Sequence, residues 1–226
     1  MKKKLVSVLL AAVMAMTMIP MTAAAEGNTL TYAIQSECET LDPGMSNYLT
    51  SSAMILNLFM GLYRADSTGA ALTNGCAESY EVSEDGLTWT FTMRDGLKWS
   101  DGTELNAKDF EYTFKRIVDV NLAAPYGETV LGMVEGYQDA IGNPDKEGKT
   151  TTTPNTDLLN VKASEDGKTL TIKLAYPCAY FDKLAAFGTM SPVQKATVEA
   201  NGDAWATKPE TYVCNGPYMI SEWTPS

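Results

Sequence analysis

The chain has 226 residues and not one histidine. That absence removes the usual general base, the usual zinc ligand, and every Ser/His or Cys/His nucleophile pair. Carboxylates and lysines remain, but their spacing sets up no paired-acid or amine-nucleophile site. Four cysteines are present: Cys38, Cys76, Cys178 and Cys214. No two form a Cys-x-x-Cys, which speaks against a redox or zinc motif. An even number in an oxidising compartment favours disulfides. Four cysteines allow three pairings, and the sequence does not choose among them. Closeness along the chain favours Cys38–Cys76 and Cys178–Cys214, with buried free thiols as the alternative. No metal site and no cofactor is expected.

The first 25 residues read as a signal peptide. Lys2, Lys3 and Lys4 precede an apolar run from Leu5 to about Ile19, and Ala23-Ala24-Ala25 stands before Glu26. Charge, short apolar run and A-x-A, in that order, mark a cleaved secretory signal. The run breaks at Pro20 and falls short of the ~20 apolar residues a spanning helix needs. The expectation is an exported protein, in the periplasm or on the outer face of the cell membrane. No cysteine near the cleavage site offers a lipoprotein anchor. About 200 residues would remain, enough for one large domain or two small ones. Cleavage would leave 14 basic against 28 acidic side chains, a net charge of −14. Without a basic cluster, nucleic acid and anionic lipid are poor partners, because both need Lys and Arg against phosphate.

The elements that would position any site are mixed. Leu30–Ile34 alternates and reads as a strand. A loop through Leu41-Asp42-Pro43-Gly44 follows. Ser51 or Ser52 is a candidate cap for a helix carrying Met54, Ile55, Leu58 and Phe59, ending at Gly61. Two hairpins follow, Tyr80–Met93 and Val161–Leu174, and both turn on Ser-Glu-Asp-Gly. Asp-Gly supplies the positive φ of a tight turn. Leu87, Trp89, Phe91 and Met93 share one face of the first hairpin, and Leu170, Ile172 and Leu174 one face of the second. Between them, Asn106 caps a helix with Asp109 in its first turn and Phe110, Phe114, Ile117 and Val118 as its buried stripe. Residues 142–155 read as a surface loop. Ser191-Pro192 starts a further helix that Gly202 stops. Tyr218, Ile220 and Glu222-Trp223 suggest a last strand. The fold class is a mixed α/β (α+β) protein.

These residues alone show no catalytic set and leave function open. A run of motifs decides further. Ala77 to Gly102 (AESYEVSEDGLTWTFTMRDGLKWSDG) and Leu105 to Arg116 (LNAKDFEYTFKR) resemble the signature of the family 5 extracellular solute-binding proteins, the oligopeptide- and dipeptide-binding group. Thr40-Leu-Asp-Pro43 and Leu58-Phe-Met-Gly-Leu62 lie upstream in the family's order. Pro177-Cys-Ala-Tyr-Phe181, Met190-Ser-Pro-Val193 and Val213–Tyr218 (VCNGPY) lie downstream.

The resemblance implies a two-lobed fold of the periplasmic-binding-protein type II kind, closing on a ligand. Residues 27–64 would begin lobe I, 65–184 would form its extra subdomain with the two hairpins, and 185–226 would return to lobe I. Lobe II would lie beyond Ser226, making the chain an N-terminal piece that alone binds weakly or not at all. The implied function is capture of short peptides for an ABC importer, with a permease and an ATPase as partners, as a monomer and not an enzyme. A non-peptide solute (nickel complex, haem, opine or oligosaccharide) is the alternative, and a secreted hydrolase a more distant one. A buried peptide needs its backbone groups paired, which strand-like addition provides. The segment before Leu-Phe-x-Gly-Leu contributes such contacts in the family, here Asn47, Tyr48, Leu49, Thr50 and Ser51. Tyr126 and the loop Cys214-Asn215-Gly216 are further cleft candidates. Trp99 and Asp101 dominate the signature but read as turn and packing residues.

Overall fold

The structure, a computed structural model, describes residue 34, residues 36–66, residue 68 and residues 72–223. The expected signal peptide and nearly all of the expected strand Leu30–Ile34 lie outside these residues. The described elements begin with helix α1 (Leu49–Leu58) and the short hairpin β1 (Tyr63–Ala65) and β2 (Leu72–Asn74). Strands β3 (Ala77–Val82) and β4 (Thr88–Met93) form the next hairpin. Helices α2 (Ala107–Ile117), α3 (Gly127–Leu131) and α4 (Tyr137–Ala140) come before β5 (Val161–Ala163) and β6 (Thr169–Lys173). Helices α5 (Phe181–Leu184) and α6 (Lys195–Asn201) complete the series, with short 3-10 turns between them.

The two expected hairpins form, and they join. β4 and β6 pair antiparallel at the centre of one four-stranded sheet, ordered β3-β4-β6-β5. Alternation makes this possible, because residues two apart share a face. Trp89 lies opposite Ile172 and Phe91 opposite Leu170, and all four are buried. Helix α2 covers this region with Phe110, Phe114 and Ile117, packing on β5 and β6. Each such side chain, fully buried, contributes roughly 2 kcal/mol of apolar transfer. Asn106 and Asp109 form a reciprocal capping box at the start of α2, so its first turn is well satisfied.

The two Ser-Glu-Asp-Gly turns have one chemical solution. Asp85 Oδ1 accepts from Ser83 Oγ and from the Leu87 N–H, while Ser83 Oγ accepts from Thr88 N–H. Asp166, Ser164, Lys168 and Thr169 repeat the pattern. These hydrogen bonds hold both aspartates below the ordinary carboxylate range. Gly86 and Gly167 carry the positive φ, at 72° and 71°.

Four sequence expectations fail for local reasons. Helix α1 starts at Leu49, two residues before Ser51 and three before Ser52, and ends at Leu58, short of the expected Gly61. Both serines lie inside the first turn, Ser51 buried and the Ser52 hydroxyl on Ser46, and no side chain caps the helix start. Helix α6 starts at Lys195, after Ser191 and Pro192. The backbone there is committed elsewhere, because Val193 N–H donates to Thr113 Oγ1 of α2 at 2.9 Å. Its end at Gly202 is as expected, with φ of 53°. Residues 218–223 make no strand, since no ladder partner lies beside them among the described residues; the Tyr218 N–H instead meets the Asn57 carbonyl at 3.3 Å.

The cysteines are the fourth case. All four are free thiols, so neither Cys38–Cys76 nor Cys178–Cys214 forms. Sequence neighbours here are not spatial neighbours. Cys38 sits by Ser51, Cys76 donates to the Met60 carbonyl, Cys214 donates to the Tyr218 carbonyl, and Cys178 lies in the turn before α5 beside Tyr180.

Candidate functional site

The strip Asn47–Ser51 is held from below by the loop that precedes it. The Asp42 backbone carbonyl accepts the N–H groups of Met45 and Ser46, both at 3.1 Å. Its carboxylate accepts the Gly44 N–H at 2.9 Å, which closes an Asx turn over Pro43. The same carboxylate is gripped by Arg116 of α2, Nη1 at 3.2 Å and Nη2 at 2.6 Å. Trp205 Nε1 adds a fourth donor at 3.3 Å. Two charges in a buried setting require this degree of satisfaction.

From this anchor the chain runs extended through Tyr48, with φ −106° and ψ 142°, into α1. Among the described residues, the backbone N–H groups of Asn47, Tyr48 and Leu49 have no partner, and Tyr48 provides no side-chain cap. Tyr48 is 50% exposed and Leu49 87%. Thr50 Oγ1 reaches Ser36 Oγ at 3.2 Å. Ser51 turns inward and is buried. The expected strip therefore divides: Asn47, Tyr48 and Leu49 are presented outward, Thr50 is tied to Ser36, and Ser51 belongs to the packing.

Asn47 and Tyr48 stand at the rim of an open groove of about 1370 Å³. The groove also takes in α2, the loop around Pro125, and α6, and it carries charges of both signs. Burial works against the Lys115 ammonium, but Glu111 at 2.9 Å and Asp157 at 3.0 Å outweigh it and raise its pKa. Burial likewise raises the Tyr112 hydroxyl, over whose ring Lys195 stands at 5.8 Å.

Tyr126 is half-buried, and its ring meets Phe187 edge-to-face at a centroid distance of 5.4 Å. Phe187 is 41% exposed and was not singled out by the sequence reasoning. The one available signal was a large aromatic between Ala185-Ala186 and Gly188, outside any amphipathic pattern. A pair of aromatic rings with open edges offers the apolar, adaptable wall that small-ligand sites use.

The loop Cys214-Asn215-Gly216 braces the chain at the end of α1. Asn215 Oδ1 accepts the Met60 N–H at 3.0 Å and its Nδ2 donates to the Met60 carbonyl at 2.9 Å. Gly216 N–H donates to the Leu58 carbonyl at 2.8 Å. Cys214 is buried and its N–H meets Ser100 Oγ. Burial pushes the Cys214 thiol up, and the neighbouring Cys76 thiol up to about 12. Trp99 and Asp101 are structural as expected. Trp99 is buried, and Asp101 holds its turn through Thr103 and bonds Gln194 Nε2 at 2.9 Å.

The model of the bacterial extracellular solute-binding proteins, family 5 Middle, matches residues 71–226. The chain is 39% identical over 200 residues to the periplasmic oligopeptide-binding protein OppA of Escherichia coli, covering 88% of this chain and 34% of that one. It is 37% identical over 196 residues to the oligopeptide-binding protein OppA of Bacillus subtilis, covering 86% and 34%. The crystal structure of Haemophilus influenzae OppA in complex with RPPGFSPFR superposes with a TM-score of 0.72 at 34% identity, over 82% of this chain and 34% of the other. The chain thus spans about a third of the length of the curated relatives it matches.

Proposed function

The chain belongs to the bacterial extracellular solute-binding proteins, family 5, and from that premise we propose that it captures short peptides for an ABC importer. The carrying observation is the row of backbone N–H groups at Asn47, Tyr48 and Leu49, which have no partner among the described residues, with Tyr48 extended and Asn47 and Tyr48 lining the groove. An extended peptide laid beside it satisfies its own buried N–H and C=O groups as an added strand would. Tyr126 and Phe187 then meet its side chains. Relatives named for oligopeptide binding support the substrate class.

The rest of the reading follows from the family. The protein is exported, works as a monomer outside the cytoplasm, and hands its ligand to a permease driven by an ATPase. It performs no chemistry on the peptide. Residues 65–184 act as a subdomain of the first lobe, and a second lobe of the longer protein closes over the strip.

The test is mass spectrometry of small molecules released by denaturing the purified full-length gene product. A ladder of mixed peptides of similar length is the expected result. A single non-peptide compound would keep the fold and replace the substrate. One relative at 34% identity, a probable deoxycholate-binding periplasmic protein of Escherichia coli, makes that second outcome worth reading for.

A further inference from the structure

Asp42 lies five residues before Asn47, is 5% exposed, and makes no hydrogen bond to Asn47–Ser51 among the described residues. Its oxygens nevertheless collect donors from the loop itself and from two distant stretches of chain. Gly44 donates from the loop itself, Arg116 from the end of α2, and Trp205 from the 3-10 turn Gly202–Ala206. The preceding residue is held as well, since Tyr212 Oη donates to the Leu41 carbonyl at 2.7 Å.

The same two aromatics reach the far end of α1. Trp205 and Tyr212 stack at 5.5 Å with planes 4° apart. Phe59, the residue that ends α1, meets both edge-to-face, at 6.4 and 5.7 Å. The segment from Asp42 to Phe59 is therefore gripped at both ends by one rigid stack, and Asn47–Ser51 is carried between the two grips.

A buried ion pair is weak support for stability as such, because desolvation of both charges offsets most of the attraction. What a two-pronged Arg–carboxylate pair does supply is fixed geometry. We infer that Arg116 and Trp205, acting through Asp42, are positioning residues that set the height and direction of the ligand strip Asn47–Ser51. This rests on the peptide-capture reading for its ligand, but the ordering of the strip can be read without any ligand.

The experiment uses the full-length gene product and two variants. Trp205→Phe keeps the stack on Tyr212 and removes only the N–H donor. Arg116→Lys keeps the charge and loses the fork. Amide hydrogen exchange is followed at the bonded amides within residues 43–51, those of Gly44, Met45 and Ser46 at the base of the strip, and, as reference, at Leu170–Ile172 of the sheet. Affinity is measured for tri-, tetra- and penta-alanine. Loss of one hydrogen bond predicts exchange at 43–51 faster by about fivefold in Trp205→Phe, more in Arg116→Lys, with the reference amides unchanged. Peptide affinity should fall by a similar factor. Unchanged exchange at 43–51, or a uniform rise across the protein, overturns the inference. So does unchanged peptide affinity with a loosened strip. If the parent protein binds none of the three peptides yet the strip loosens locally, the positioning stands and the peptide reading falls.

Discussion

The Asn215 side-chain amide lies along the backbone of Met60, accepting from its N–H at 3.0 Å and donating to its carbonyl at 2.9 Å. One side chain thus copies a strand partner for a residue 155 positions away. Its Nδ2 also reaches Cys76 Sγ at 3.3 Å. Asn215→Ala leaves the Met60 N–H part-buried and unpaired and its carbonyl with only the Cys76 thiol, at about 1–3 kcal/mol. Urea unfolding should show a lower midpoint with an unchanged slope. A midpoint equal to that of the parent would show that water replaces the amide.

The twin hairpin turns give a matched pair of substitutions. Gly86 and Gly167 share the same left-handed φ, so alanine is strained at both, by about 1 kcal/mol. Their surroundings differ. A Cβ on Gly86 meets nothing closer than Pro177 Cβ at 3.5 Å, whereas on Gly167 it comes within 2.8 Å of Asn106 Cγ. Asn106 is the cap of α2, so Gly167→Ala also disturbs that helix start. Loss of a cap adds about 1 kcal/mol. Thermal melts should rank parent, Gly86→Ala, then Gly167→Ala. Equal losses would mean that Asn106 moves aside at no cost.

That contrast shows what the sequence made legible. Asp-Gly between alternating strands specifies the turn locally, and both hairpins form where it stands. Asn106 with Asp109 specifies a helix start just as locally. The contact between Gly167 and Asn106 is a tertiary matter with no local signature, and so is the joining of the two hairpins through β4 and β6. The site divides the same way. Tyr48 was singled out by its place before Leu-Phe-x-Gly-Leu and Tyr126 by its place after Pro125, and a binding role for either is a proposal. Phe187 was missed because one exposed aromatic carries no period. The Asp42–Arg116–Trp205 network was missed because its members lie 74 and 163 residues apart. The cysteine pairing failed because closeness along the chain was its only guide.

Burial raises the Cys76 thiol from the ordinary 9.0 to about 12. The folded state then holds a proton that the unfolded state releases. Stability from this group is fully present below pH 9 and is lost as pH rises towards 12. The slope is about 1.4 kcal/mol per pH unit within that window. Cys214 and Tyr212 are also raised by burial and act in the same direction. Urea midpoints measured from pH 8 to 11 should fall steeply above pH 9, and Cys76→Ala should flatten part of that fall. An equally steep fall in the variant would assign the alkaline loss to the other groups.

Tyr126 and Phe187 provide the clearest separation of binding from folding. Both rings are partly exposed, and neither carries a hydrogen bond that the core depends on. Truncating Phe187 removes the edge-to-face contact, worth about 1 kcal/mol, and opens no buried cavity. Phe187→Ala in the full-length protein should therefore shift the melting temperature by only a few degrees. A peptide lying along Asn47–Leu49 with a side chain on the Tyr126–Phe187 wall loses a stacking surface as well. Peptide affinity, measured calorimetrically with tri- and tetrapeptides, should then drop by about tenfold, more for peptides with aromatic side chains than for alanine peptides. An equal loss for all peptides would place the wall against the ligand backbone. No loss at all would remove Tyr126 and Phe187 from the site and leave the open strip as its sole support.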